Sequence, residues 1–132
     1  MRTGLSFLII AASCLLVGVG LGMYMGIVHD FTMAPVHAHL NLLGWASCAI
    51  FGLTYRAFPE LEGTRLAKIH LALSGPSAVL FPLAIHLSMN GDPALTKITA
   101  PMWLFGVVVF LVSLVRLAKR TQPSKLRPLP AE

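Results

Sequence analysis

Four long and mainly apolar runs dominate the chain, at residues 5–28, 35–55, 66–89 and 101–117, and only short connections separate them. A helix needs about 20 predominantly apolar residues to cross a bilayer. Only 11% of the 132 residues are charged, whereas a soluble domain carries roughly a quarter. The pattern therefore predicts an all-α membrane protein, a bundle of four transmembrane helices whose first partner is the lipid bilayer.

The two ends of the chain set its domain organisation. The first run is longer than the roughly 7–15-residue apolar core of a signal peptide, and no A-x-A-like cleavage site follows it, so we expect a retained helix. Residues 1–120 then form one transmembrane domain. Residues 121–132 contain three prolines among polar and basic side chains, which predicts a flexible cytoplasmic tail.

The positive charges predict the orientation. They flank the second connection and cluster at and after the end of the last run, whereas the other two connections hold only Lys97. The clustered residues are Arg56, Arg65, Lys68, Arg116, Lys119, Arg120, Lys125 and Arg127. Cytoplasmic loops carry the excess of lysine and arginine. We therefore expect both termini in the cytoplasm, in a bacterial cytoplasmic (inner) membrane. The net charge of +5 is explained by topology, and no nucleic-acid partner is expected.

Small residues repeat at helical spacing in the first two runs, as Gly18, Gly22 and Gly26 and as Gly44, Cys48 and Gly52. Such stripes permit close approach of helices. We expect the first stripe to pack helices and to be a candidate contact between copies of a homo-oligomer. The second stripe either packs helices or leaves room beside a flat cofactor. Cys14 and Cys48 are expected to be packing residues.

The histidines are the most informative polar residues, because ionisable side chains are expensive inside a membrane and usually functional. The chain has five, at His29, His37, His39, His70 and His86. Counted outward from the second connection, His39 and His86 fall at nearly equal depth near the outer surface, with His29 and His37 in the same layer. His70 falls near the cytoplasmic side, apart from the others.

Two imidazoles at equal depth on facing helices are what a bis-histidine haem requires. Small residues beside the ligands would leave room for the ring, and they occur on two predicted faces: His37, Asn41, Gly44 and Cys48 on the second helix, and Gly75, Val79, Pro82 and His86 on the third. This spacing favours His37 as the second-helix ligand. His37 and His39 point about 200° apart on a regular helix, so one can ligate without the other. No C-x-x-C-H motif is present, which indicates haem b rather than haem c.

The segment His37-Ala38-His39-Leu40-Asn41-Leu42-Leu43-Gly44-Trp45 resembles the second transmembrane helix of haem–copper oxidase subunit I, especially in the nitric oxide reductase branch. The following residues 50–55, the loop 58–60 and residues 66–71 also resemble that family, so the likeness covers roughly residues 35–75. It implies that His39 is the ligand of a haem b iron. It leaves open whether the second axial ligand is His86, His37 or a histidine of another subunit.

The departures from that family matter for activity. Its second haem ligand and its copper ligands lie on later helices that do not fit into 132 residues, so we expect no oxidase reaction and no catalytic residue in this chain alone. The expected function is electron transfer or binding of a diatomic gas, with a respiratory complex or an electron-transfer protein as partner.

Other interpretations stay open. Five methionines fall on the outer half, at Met23, Met25, Met33, Met89 and Met102, and thioethers with imidazoles suit copper binding or transfer. A further interpretation is that the protein is a non-catalytic accessory subunit of a respiratory complex. His70 either bonds to Ser74 or Ser77 or serves a second haem. Asp30 either orients His29 or is a solvated carboxylate.

Overall fold

The computed structural model describes residues 2–121, of which 87% are helical and none lies in a strand. Four helices are long and apolar enough to cross a membrane: α1 (Thr3–Val28), α2 (Ala34–Ala57), α3 (Arg65–Met89) and α4 (Thr96–Thr121). The predicted all-α bundle of four transmembrane helices is confirmed. The predicted tail lies almost wholly outside the described residues.

Helix α2 changes its winding in the middle. Its first turns are α-helical, with Pro35 in the opening turn, and Leu40–Ser47 is π-helical before α-helix resumes. A wider turn disturbs the regular pairing of backbone groups, which lipid cannot satisfy. The Ser47 hydroxyl donates to the Leu42 carbonyl oxygen at 2.8 Å. This side chain supplies a backbone partner inside the non-α segment.

The second connection ties together three helices at one end of the bundle. A short 3₁₀ turn, Pro59–Leu61, leads to Thr64, whose side chain accepts a hydrogen bond from the Ala67 amide and caps α3. The Glu62 carboxylate accepts from the Gly4 amide at 3.2 Å. A carboxylate is favourable there because the first amides of a helix lack intrahelical partners and carry partial positive charge.

Helix α4 begins at Thr96, five residues before Pro101, so the start of the fourth span that the apolar run 101–117 predicted is wrong. A proline within a helix removes only one backbone donor, and membrane helices tolerate this where nearby groups compensate. Two further prolines, Pro76 and Pro82, lie inside α3. The true start of α4 is anchored by the Thr96 hydroxyl, which donates to the Ala84 carbonyl oxygen at 3.0 Å.

The glycine stripes serve packing within one chain. On α1, a Cβ at Gly18 would meet Asn41 and one at Gly22 would meet His37, both on α2, whereas Gly26 has nothing within 4 Å. Two of the three glycines expected at a contact between copies are therefore covered by the same chain. The buried, free cysteines Cys14 and Cys48 are packing residues, as predicted, and Cys14 lies against Gly44.

Candidate functional site

His37 and His39 point at different neighbours from the start of α2. The His37 ring lies over Gly22 of α1, and its Nδ1 is 2.9 Å from the Gly18 carbonyl oxygen. The His39 ring lies on the side of α3, with its centroid 5.5 Å from that of Phe81 and the two rings nearly perpendicular. The two imidazoles therefore diverge, as their spacing predicts, and their surroundings differ.

The hydrogen bond of His39 fixes the proton on its ring. Its Nδ1 lies 2.8 Å from the carbonyl oxygen of Pro35, one turn earlier. A carbonyl oxygen can only accept, so Nδ1 must carry the proton and the neutral ring keeps its lone pair on Nε2. Such a backbone bond commonly orients a metal-bound histidine. The half-buried His39 thus has the protonation pattern of a ligand.

Asn41 belongs with His37 rather than with His39. Its side-chain amide donates to the His37 carbonyl oxygen at 2.8 Å and lies 3.4 Å from the His37 Nδ1. It also fills the space over Gly18. The predicted cofactor role of Asn41 is not tested by these contacts and stays a prediction. In this structure it helps to hold His37 between α1 and α2.

Gly44 and Gly75 both face α1. A Cβ at Gly44 would lie 2.7 Å from the Sγ of Cys14, and one at Gly75 would lie 3.3 Å from the Cδ1 of Ile10. The spacing that placed His37, Asn41 and Gly44 on one face is therefore correct, and that face is turned to α1. Both glycines serve helix packing here, and their role beside a cofactor stays a prediction.

His86 lies three residues before α3 ends at Met89, at the end of the bundle opposite the second connection, which we call the outer end. Its Nδ1 is buried, and it has no hydrogen-bond partner within residues 2–121. A buried polar atom without a partner is unfavourable unless some other group satisfies it. The first turns of α2, which carry His39, pack against α3. His86 is thus an unpaired imidazole on the helix that His39 faces.

His29 and Asp30 do not form the pair that the sequence allowed. His29 ends α1 with a left-handed backbone (φ 53°) and is exposed. The Asp30 carboxylate accepts from the Thr32 hydroxyl at 2.5 Å and from its amide at 2.9 Å. These bonds lower the pKa of the Asp30 carboxyl below its ordinary value. Asp30 is therefore a solvated loop carboxylate that stabilises the turn.

His70 occupies a closed aromatic cluster near the other end of the bundle. The side chain is fully buried, and its ring centroid lies 4.7 Å from Phe7, 4.6 Å from Phe51 and 5.1 Å from Phe110. Its Nδ1 is 3.0 Å from the Tyr55 hydroxyl oxygen. The predicted serine bonds are not formed: Ser77 donates to the Leu73 carbonyl oxygen, and the Ser74 hydroxyl has no partner in the described part of the chain.

Tyr55 was missed by sequence reasoning, although a signal was present. It lies seven residues before Glu62, and His70 lies eight residues after it. The same depth counting that paired His39 with His86 would have placed Tyr55 beside His70. His70 lies near the start of α3 and His86 near its end, so His70 is apart from His86.

The structure offers little for a larger metal site. Residues 2–121 contain no group of three or more His, Cys, Asp or Glu side chains that can hold a metal ion. Of the methionines expected at a copper site, Met23 and Met89 are exposed whereas Met25 is buried. These three side chains have no common environment. Copper binding stays a prediction without structural support.

Comparison of the chain with protein-family models, with curated proteins and with solved structures found no match, so its function is argued from the geometry above.

Proposed function

We propose that this protein binds haem b at the outer end of its bundle, with His39 Nε2 as an axial ligand of the iron. The observation that carries the proposal is the hydrogen bond from His39 Nδ1–H to the Pro35 carbonyl oxygen at 2.8 Å. It orients the ring and leaves the lone pair on Nε2, which is the form of histidine that binds a metal. The likeness of residues 37–45 to the haem-binding helix of oxidases supports the same choice.

His37 is the less suitable ligand of the two. Its Nδ1 also faces a carbonyl oxygen, that of Gly18, but its ring is enclosed by α1 and Asn41. Ligation of iron by His37 would require α1 to move away from α2. His39 requires no such separation, because it stands on the side of α3.

His86 is the second ligand that we propose. Its buried Nδ1 has no partner within residues 2–121, and a metal ion would satisfy a ring nitrogen of this side chain. Phe81 already packs against the His39 ring. It would have to rotate for a macrocycle to stand between the two histidines. A histidine from a second copy of the chain in a homo-oligomer is the other source of this ligand.

Bound haem would supply one-electron chemistry or a site for a diatomic gas, depending on whether both axial positions are filled. The residues of this chain would hold the iron, keep the proton on His39 Nδ1 and exclude water.

We further propose that the protein lies in a bacterial cytoplasmic membrane with both termini in the cytoplasm. A fusion of alkaline phosphatase to the C-terminus tests this, since the enzyme would be inactive on the cytoplasmic side.

The experiment is the visible spectrum of the detergent-purified protein, oxidised and reduced, after expression with added haem. Wild type is expected to show a Soret band and a b-type α-band. His39→Ala is expected to lose at least about 90% of the bound haem, and His86→Ala to lose the low-spin α-band. His37→Ala is the matched control, two residues from His39 but turned to α1, and should keep the spectrum.

Two outcomes would overturn the proposal. Absence of a Soret band in folded wild-type protein excludes haem, and retention of copper by that protein would support the copper alternative. Loss of the spectrum in His37→Ala, with His39→Ala unaffected, would transfer the ligand role to His37. Native mass spectrometry of the same sample gives the number of subunits for each haem.

A further inference from the structure

A small cleft opens at the inner end of the bundle, the end that carries the second connection. It has a volume of about 160 Å³, several times the roughly 30 Å³ share of one water molecule in the liquid. Its walls come from the second connection, the first turn of α3 and the last turns of α4. Leu61, Leu66 and Leu117 supply the apolar part of its lining.

Three arginines surround this cleft. Arg65 is the first residue of α3, and Arg116 and Arg120 lie one turn apart on α4. Glu60 is the single acidic side chain of the lining, so the lining carries a net charge of +2. All three arginines are exposed, and within residues 2–121 none of their guanidinium groups forms an ion pair or a hydrogen bond. Three like charges without partners around one cleft favour an anion.

The start of α3 adds to this positive potential. Thr64 and the first two residues of the helix, Arg65 and Leu66, line the cleft. The Thr64 side chain accepts a hydrogen bond from the amide of Ala67. The amides of Arg65 and Leu66 lie in the first turn of α3, where the helix supplies no carbonyl partner for them. Unpaired amides at a helix N-terminus, aided by the helix dipole, bind phosphate and other oxyanions. Guanidinium groups bind the same oxyanions through paired hydrogen bonds.

The position of the cleft selects among oxyanions. Helices α3 and α4 have 25 and 26 residues, more than the roughly 20 needed to cross the hydrocarbon core. Their ends therefore reach the level of the lipid headgroups. A basic pocket between helices at this level, with leucine side chains in its lining, matches a phosphate group joined to acyl chains. We propose that the cleft binds the phosphate of an anionic phospholipid.

Native mass spectrometry tests the proposal with full-length protein in detergent, titrated with phosphatidylglycerol or with zwitterionic phosphatidylcholine. The wild-type protein is expected to retain phosphatidylglycerol in preference to phosphatidylcholine. The double variant Arg116→Gln/Arg120→Gln should bind it about 10-fold more weakly. Lys119→Gln is the matched control, because Lys119 has the same charge on the same helix and does not line the cleft. It should bind as wild type does.

Three outcomes would overturn the proposal: equal retention of the two lipids, equal loss in the arginine variant and the Lys119 control, or displacement of the lipid by millimolar inorganic phosphate. The last would show a site for free phosphate rather than for a lipid. Circular dichroism of each variant checks that it is folded. The haem spectrum should be unchanged, because His39 lies at the opposite end of α2, so the failure of this proposal is distinguishable from the failure of haem binding.

Discussion

The inner end of the bundle, which carries the second connection, and the opposite outer end enclose their histidines to different degrees. At the inner end, His70 is fully buried, bonded to Tyr55 and packed among three phenylalanine rings. At the outer end, His39 and His86 are only half-buried. All three histidines keep one ring nitrogen without a partner in residues 2–121, and for His70 this is the buried Nε2. A histidine in a membrane helix therefore does not by itself indicate a binding site, because it can also be part of a packed core.

The difference lies in how fully each imidazole ring is enclosed. Aromatic rings fill the space around His70 and leave no room for a ligand at its faces. The rings of His39 and His86 are instead only half-buried, and the ring contact of His39 is with Phe81 of α3. We infer that the inner end supplies stability and the outer end supplies the binding chemistry, and the following variants test that division.

The largest effect is expected from Phe51→Ala at the inner end. Phe51 packs against His70, Phe7 and Phe110, and its removal leaves a cavity among them. We expect the free energy of unfolding to fall by about 3 kcal/mol. Unfolding in mixed detergent micelles, followed by circular dichroism, measures it. Phe105→Ala is the control, because Phe105 is exposed. Equal losses of unfolding free energy in the two variants would contradict the inference that the inner end supplies stability.

An intermediate effect is expected from Gly22→Ala at the outer end. The added Cβ would lie 2.7 Å from Cε1 of His37, so the ring must shift and α1 must separate slightly from α2. Overpacking of this kind costs about 1–3 kcal/mol. Gly26→Ala, one turn later with nothing within 4 Å, should be neutral in the same unfolding assay. A neutral Gly22→Ala would show that the outer contact is loose.

A smaller effect is expected from Tyr55→Phe. Loss of the hydroxyl leaves His70 Nδ1 buried without its partner, which costs about 1–2 kcal/mol. In His70→Phe/Tyr55→Phe neither partner is polar, and stability should largely return. The double-mutant cycle of unfolding free energies isolates this bond. Additive losses would mean that the two side chains do not interact, and the inner end would be no better paired than the outer end.

The smallest effect is expected in the outer connection, from Thr32→Val. The hydroxyl and amide of Thr32 hold the pKa of the Asp30 carboxyl low, so their contribution to stability is present above the ordinary pKa of about 3.9 and is lost as the pH falls through the lowered value. Loss of the hydroxyl should raise that pKa toward the ordinary one. Carboxyl carbon NMR titration measures it, and Thr32→Ser should leave it low. An unchanged pKa in Thr32→Val would contradict this role for the hydroxyl.

Hydropathy was enough to predict the four spans, because length and apolar character decide whether a helix crosses lipid. The start of α4 was misplaced because Pro101 was interpreted as a boundary, whereas the helix begins at Thr96. The shared face of His37 and Gly44 was predictable from spacing. That this face is turned to α1 was not, because rotation of a helix about its axis depends on all its neighbours at once. The bond between Tyr55 and His70 depends on the same rotation.

Because of its π-helical segment Leu40–Ser47, α2 can accommodate the deletion of one residue without losing its span. Each of its turns takes up more residues than an α-helical turn, so the segment can lose one residue by rewinding as α-helix. His39 before it and Phe51 after it would keep their neighbours. A homologous chain one residue shorter in this segment would then retain both ends of the bundle, and a gap at that point of an alignment would mark a change of helix type rather than the loss of a span.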